Sequence, residues 1–172
     1  TEQYTEKTVN EIVRAAFEMG KVKTGALIVI ERGTPLAEIE RTGIAVDGIV
    51  TSQLLINIFE HNTPLHDGAV IIRGNRVTAA TCYLPLSENL SISKDLGTRH
   101  RAALGISESS DSMTVVVSEE TGRVTLALDG KLTRMNDPES LRQAITVESK
   151  DEANSGKFRL WKGKHRNERK AE

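Results

Sequence analysis

Three short stretches carry side chains able to do chemistry, each at the end of an apolar run. In the first, His66 and Asp67 stand directly before Gly68, Ala69 and a run of aliphatic residues. Asp-Gly is a common turn, because glycine accepts positive φ and aspartate tolerates it. The alternative is that Gly68 lets a ligand or backbone approach while Asp67 holds a carboxylate at a pocket mouth. Residues 57–66 do not alternate as a partner strand, so no simple hairpin closes there. The second stretch, 97-GTRHRAALG-105, places Thr98 as the N-cap of a helix with Arg99, His100 and Arg101 behind it. Free N–H groups at a helix start attract anions, and a guanidinium fork matches phosphate oxygens. Positive charge at that end opposes the helix dipole, so the arginines either cover solvent at a cost or face an anion. Residues two apart do not share a helix face, which gives Arg99 and Arg101 different jobs. The third stretch, Ser118-Glu119-Glu120-Thr121-Gly122, is a solvated hairpin loop or a site for a metal ion, a base or a ribose. Tyr83 and Leu84 pack the core or an edge, or else clamp a flat purine ring.

The elements that must position these groups follow from periodicity. Apolar residues at three and four between Tyr4 and Met19 predict an amphipathic helix, with Gly20 as its stop. Residues 25–31 read as a buried strand, 35–43 as a short helix and 51–60 as a helix capped by Thr51 or Ser52. Residues 68–73 and 76–84 form two strands joined at Gly74-Asn75, a two-residue hairpin signal. A helix over 98–109 and a second hairpin, 113–118 with 123–128, come next. An Asp137 cap with Pro138 at the first helical position starts a last amphipathic helix, 137–148. The expected architecture is α/β: one domain over 1–149, with a central mixed β-sheet covered by helices. The basic segment 150–172 reads as a disordered, solvated tail or an arm for acidic lipid or a partner.

The 172 residues suffice for one real core, and the formal charge of −1 gives no general argument for a nucleic-acid or acidic partner. Aromatic residues are 3% of the chain, too few for a base-stacking surface. A single cysteine, Cys82, excludes an internal disulfide and suits a reducing compartment. No apolar run is long enough to span a membrane, and no signal peptide is visible.

Taken together, Asp67-Gly68-Ala69, Arg99-His100-Arg101 within 96-LGTRHRAALG-105, and 117-VSEETG-122 closely resemble the diadenylate cyclase domain. Flanking stretches 51-TSQLLINIF-59, 63-TPLHDGA-69 and 83-YLPLS-87 are similar to the membrane-anchored cyclase type of Firmicutes. The match runs in order from about residue 8 to about residue 148. The resemblance implies a diadenylate cyclase fold and condensation of two ATP into cyclic di-3′,5′-AMP, a second messenger, with release of two pyrophosphates. It also implies a face-to-face homodimer, since each 3′-oxygen attacks the nucleotide of the other protomer. Asp67 would assist deprotonation of that hydroxyl, and His66 with Asp67 would hold Mn²⁺ or Mg²⁺, with Co²⁺ a third option. Gly97, Thr98, Arg99, His100 and Arg101 would bind phosphates, together with Gly68, Ala69, Ser118, Glu119 and Glu120 around the triphosphate, while Tyr83 and Leu84 hold adenine. A membrane regulator and a phosphoglucosamine mutase are implied as partners, and the cytoplasmic face of the cell membrane as the location of the full-length protein. The chain itself reads as a soluble catalytic fragment, in which Cys82 beside the adenine clamp is an oxidation concern. The competing readings are a catalytically silent module that senses ATP or cyclic dinucleotide, and an interaction domain whose loops are only turns.

Overall fold

A computed structural model describes residues 3–89 and 96–146; the segment 150–172 and the end of the last helix lie outside them. The elements are α1 (Glu6–Lys21), β1 (Ala26–Ile30), α2 (Ala37–Glu40), β2 (Ile44–Ile49), α3 (Ser52–Phe59), β3 (Ala69–Arg73), β4 (Arg76–Cys82), α4 (Thr98–Ser109), β5 (Met113–Val117), β6 (Val124–Leu128) and β7 (Lys131–Met135). Residues 138–146 are helical behind the Asp137 cap, whose carboxylate accepts from the Ser140 N–H at 2.7 Å. The strands make one seven-stranded sheet in the order β2-β4-β3-β1-β5-β6-β7. The β1–β3 pair is parallel and the other pairs are antiparallel. This is the mixed sheet expected from the sequence.

Alternation along the strands builds two cores, one per face. Ala26, Ile28 and Ile30 point to one side with Met113, Val115 and Val117, where the α1 residues Ile12, Ala16 and Met19 and the α3 residues Leu55 and Phe59 cover them. Leu27, Val29 and Val116 point to the other side, under Ala102, Ala103 and Ile106 of α4. All five residues of β1 and all five of β5 are buried, as expected of central strands sandwiched between helix layers.

The ends of the elements differ from expectation in instructive ways. Gly20 does not stop α1; it lies inside the last turn, where a Cβ would meet the Gly122 carbonyl oxygen at 2.5 Å. The 35–43 helix is a single turn, and 44–49 is an edge strand with mostly exposed residues. At the β3–β4 turn Gly74 takes φ 58°, while the Asn75 side-chain oxygen accepts from Thr5 N at 2.8 Å and Thr8 Oγ1 at 2.6 Å. That turn is thereby tied to the start of α1. Strand β7 is an addition to the sequence reading: Asp129 and Gly130, both at positive φ, close it onto β6.

Candidate active site

A β-bulge prepares the Asp67 loop. Between Ala69↔Cys82 and Ile71↔Ala79, two steps along β3 are matched by three along β4. The extra residue is absorbed near Thr81, whose φ of 50° is rare for a β-branched side chain. Gly68, at φ 93°, lies against this bulge: a Cβ there would sit 2.8 Å from Cys82 O and 2.9 Å from Thr81 C. No hairpin is closed at Asp67-Gly68. The two residues are bends leading into β3, with Asp67 exposed and Ala69 buried.

Just past the bulge, Tyr83 donates its backbone N–H to Thr42 Oγ1 at 2.8 Å, and the chain runs back along α4. Gly105 makes that path possible, because a Cβ would come within 2.0 Å of Pro85 O, and Ser87 N donates to Arg101 O at 3.0 Å. The Tyr83 side chain is therefore 76% exposed at the rim while Leu84, 5% exposed, enters the core below. Such a pair can cover one face of a flat ring and support the other.

Helix α4 covers the expected residues 98–109, but Thr98 is not its N-cap. Gly97 is the N-cap, in extended conformation, and Thr98 is the first helical residue. Glycine has no side-chain oxygen, so no side chain caps the first-turn N–H groups, which remain suited to an anion. Arg99 lies across Gly25, where a Cβ would meet its guanidinium carbon at 2.5 Å, and reaches Glu119 at 3.4 Å. Arg101 points elsewhere: two residues on is about 200° around the helix, and it does not line the cleft. His100 is buried, and burial together with the neighbouring Arg99 charge holds its pKa below the ordinary value, which favours the neutral imidazole.

The loop after β5 is a self-bonded turn. Ser118 Oγ accepts from Glu120 N and Thr121 N at 3.2 Å each, and Gly122 N donates to Ser118 O at 2.9 Å. The hydroxyl keeps its own proton to donate to a ligand. Gly122, at φ 74°, rests on the last turn of α1, so the loop is pinned from below. Glu119 and Glu120 are exposed.

These segments meet around one cleft of about 840 Å³, within the range of small-molecule sites. Its walls include Asp67, Gly68, Ala69, Tyr83, Leu84, Gly97, Thr98, Arg99, His100, Ser118, Glu119 and Glu120. Of the residues expected from sequence, His66 and Arg101 are not in the walls. Leu27, Thr81, Leu86 and Leu96 join the apolar side, and Arg123, Thr125, Leu132 and Arg134 extend the cleft along β6 and β7. Arg123 and Thr125 belong to the strand expected over 123–128, whereas Leu132 and Arg134 lie on β7, for which the sequence carries no aliphatic run. Cys82 also borders the cleft, but burial raises its thiol pKa to about 11, which makes oxidation unfavourable.

Among the described residues, no group of three or more His, Cys, Asp or Glu converges as a metal centre. His66 and Asp67, adjacent in the sequence, are the donors this loop offers a divalent ion, which would take its other ligands from phosphates and water. The His66 ring nitrogen Nδ1 lies 2.6 Å from Thr63 O; a carbonyl only accepts, so Nδ1 is the donor, which in a neutral ring leaves Nε2 as the nitrogen able to ligate. Asp67 adjoins it with an exposed carboxylate.

Comparison with known proteins gives the family. The model described as "DisA bacterial checkpoint controller nucleotide-binding" (DAC) matches residues 13–132. Cyclic di-AMP synthase CdaA of Bacillus subtilis is 50% identical over 166 residues, covering 95% of this chain and 60% of that protein. The diadenylate cyclase of Listeria monocytogenes is 48% identical over 160 residues, covering 90% of this chain and 58% of that protein. The chain thus spans about three fifths of the length of these relatives. Among solved structures, a double mutant of DacA from Staphylococcus aureus aligns with TM-score 0.80 and 49% identity, covering 83% of this chain and 95% of that one. A hypothetical membrane spanning protein from Bacillus cereus aligns with TM-score 0.71 and 44% identity, covering 73% and 62%. No helix among the described residues of the present chain is long and apolar enough to cross a membrane. With the family model matched over most of the chain and the fold shared at near half identity, the chain belongs to the diadenylate cyclase (DAC) domain family.

Proposed function

We propose that the chain condenses two ATP molecules into cyclic di-3′,5′-AMP across a two-fold pair of protomers. The observation that carries this reading is the convergence of three groups on one cleft: the Asp67 carboxylate, the α4 start with Arg99, and the Ser118 loop. Adenine would lie between Tyr83 and Leu84. The α-phosphate would face the N–H groups at Thr98 and the Arg99 guanidinium, donors already oriented for charge that grows in the transition state. Asp67 accepts the proton of the 3′-hydroxyl as that oxygen bonds to the α-phosphorus of the opposite nucleotide, and the bond to the β-phosphate breaks. The same event in the opposite sense closes the ring, so two pyrophosphates leave per product. Asp67 and Tyr83 are exposed in the single chain, which suits a surface completed by a second copy. His66 and Asp67 would hold Mn²⁺ or Mg²⁺, which would offset the phosphate charge.

The test is incubation of the dimeric protein with ATP and Mn²⁺, Mg²⁺ or Co²⁺ in turn, followed by chromatography for cyclic di-AMP. Product in one of these reactions is expected. ATP binding without product in all three would replace the cyclase reading with a sensing module.

A further inference from the structure

The cleft continues beyond the groups that the cyclase reading uses, along the first residues of β6 and the edge strand β7. Arg123 and Arg134 line this extension with Thr125 and Leu132. Pairing explains why they share a face. Thr125 stands opposite Arg134 and Ala127 opposite Leu132, so Arg123, Thr125, Leu132 and Arg134 project to the α4 side of the sheet. Arg123 and Arg134 are then diagonal cross-strand neighbours, with side chains starting roughly 7–8 Å apart. Neither guanidinium has a carboxylate within ion-pair distance among the described residues. Arg14, Arg73, Arg76 and Arg142 by contrast each lean on one. Two like charges held on one wall without an acid between them repel, and an anion with several oxygens removes that cost. Charge on an edge strand also deters strand pairing, but that purpose does not require the side chain to face a cleft.

The order of the strands says which part of a ligand would arrive there. Across the site end of the sheet run Tyr83 after β4, Ala69 on β3, Leu27 on β1, Ser118 after β5, Arg123 before β6 and Arg134 on β7. A nucleotide with its base at Tyr83 and Leu84 and its first phosphate near the α4 start points its tail toward β6 and β7. Strand β7 lies three strand spacings from β1, roughly 14 Å away. An arginine side chain reaches back over part of that distance.

We propose that Arg123 and Arg134 form a subsite for the terminal phosphates of ATP, which selects a triphosphate over shorter nucleotides and holds the pyrophosphate as it leaves. The inference rests on the base orientation taken in the cyclase reading, but not on turnover. It makes these arginines binding residues for the part of the substrate absent from the product.

The test uses that difference. Titration calorimetry on wild type, Arg123→Ala, Arg134→Ala, the double variant and Arg134→Lys would measure binding of ATP, AMP, cyclic di-AMP and inorganic pyrophosphate. Affinity for ATP and pyrophosphate should fall about tenfold for each alanine variant. Affinity for AMP and cyclic di-AMP should stay within about twofold, and Arg134→Lys should recover part of the loss. In turnover, the alanine variants should raise KM for ATP more than they lower kcat. Equal loss for ATP and AMP would mean that the substitutions merely disturb the cleft, and no loss for either would mean that the arginines touch no ligand; both outcomes overturn the proposal. A wild-type protein that binds ATP over AMP through these arginines yet makes no cyclic di-AMP would sink the cyclase reading and leave the subsite standing.

Discussion

Gly68→Ala is the substitution that probes how the bulge holds the site. A Cβ at this position would stand 2.8 Å from Cys82 O, 2.9 Å from Thr81 C and 3.0 Å from Thr81 Cα, all backbone atoms. None of these can swing aside as a side chain can, so the bulge itself must move. The φ of 93° adds a conformational penalty that glycine alone escapes. Backbone strain of about 1–2 kcal/mol and overpacking of about 1–3 kcal/mol give a loss near 3 kcal/mol. For a domain of this size that lowers Tm by roughly 6–12 °C. The displaced bulge carries Asp67 on one side and Tyr83 on the other, and a misplacement near 1 Å costs about a hundredfold in rate. Gly97→Ala is the internal control: it meets nothing within 4 Å at an ordinary φ of −78°, so only the N-cap preference of glycine over alanine, roughly 0.5–1 kcal/mol, is at stake. Thermal melts of both variants and cyclic di-AMP yield from Gly68→Ala at a temperature where it stays folded are the measurements. A Gly68→Ala protein that melts with wild type would refute the interlock. One that melts early but turns over at the wild-type rate would show that the bulge stabilises without positioning.

Asp67→Asn should lower turnover by about a thousandfold while Tm and ATP affinity stay near wild type, as measured by product assay, melting and titration; unfolding of this exposed substitution would point to a structural turn instead. Serial dilution should reduce specific activity as dimers dissociate, and constant activity per chain through that range, followed by analytical ultracentrifugation, would contradict the two-protomer mechanism. His100 has a lowered pKa when folded, so the unfolded state binds more protons as pH falls through about 6.5, the ordinary histidine value. The sign is a loss of stability below that pH with none above it, and urea midpoints of wild type minus His100→Asn should reveal it; a difference of opposite sign would mean a charged, partnered imidazole. Cys82 should resist an aromatic disulfide reagent in the native protein and react once unfolded, while rapid native labelling would contradict its burial and its pKa near 11.

What could be read from the chain divides along the sheet. Central strands announce themselves because burial on both faces forces continuous aliphatic runs, as in Ala26–Ile30 and Met113–Val117. The edges carry no such signal. In Lys131–Met135 only Met135 is buried, and the Asp129-Gly130 turn was the one mark of its strand. That omission reached the site, because Arg123 reads as the start of a strand with no neighbour beyond it until a seventh strand brings Arg134 onto the same wall. Local chemistry at Asp67, Thr98 and Ser118 was visible, since turn residues and helix starts have sequence signatures. Which neighbours face inward was not: Arg99 and Arg101 differ by two positions, and only the phase of α4 separates a cleft residue from one outside it. The close approaches were hidden for the same reason. Gly20 reads as a helix stop and Gly122 as a turn residue, yet each is glycine because the other's backbone occupies the space of a Cβ. Pinning the Ser118 loop to α1 is therefore a tertiary constraint written in two residues a hundred positions apart, and neither explains the other until they touch.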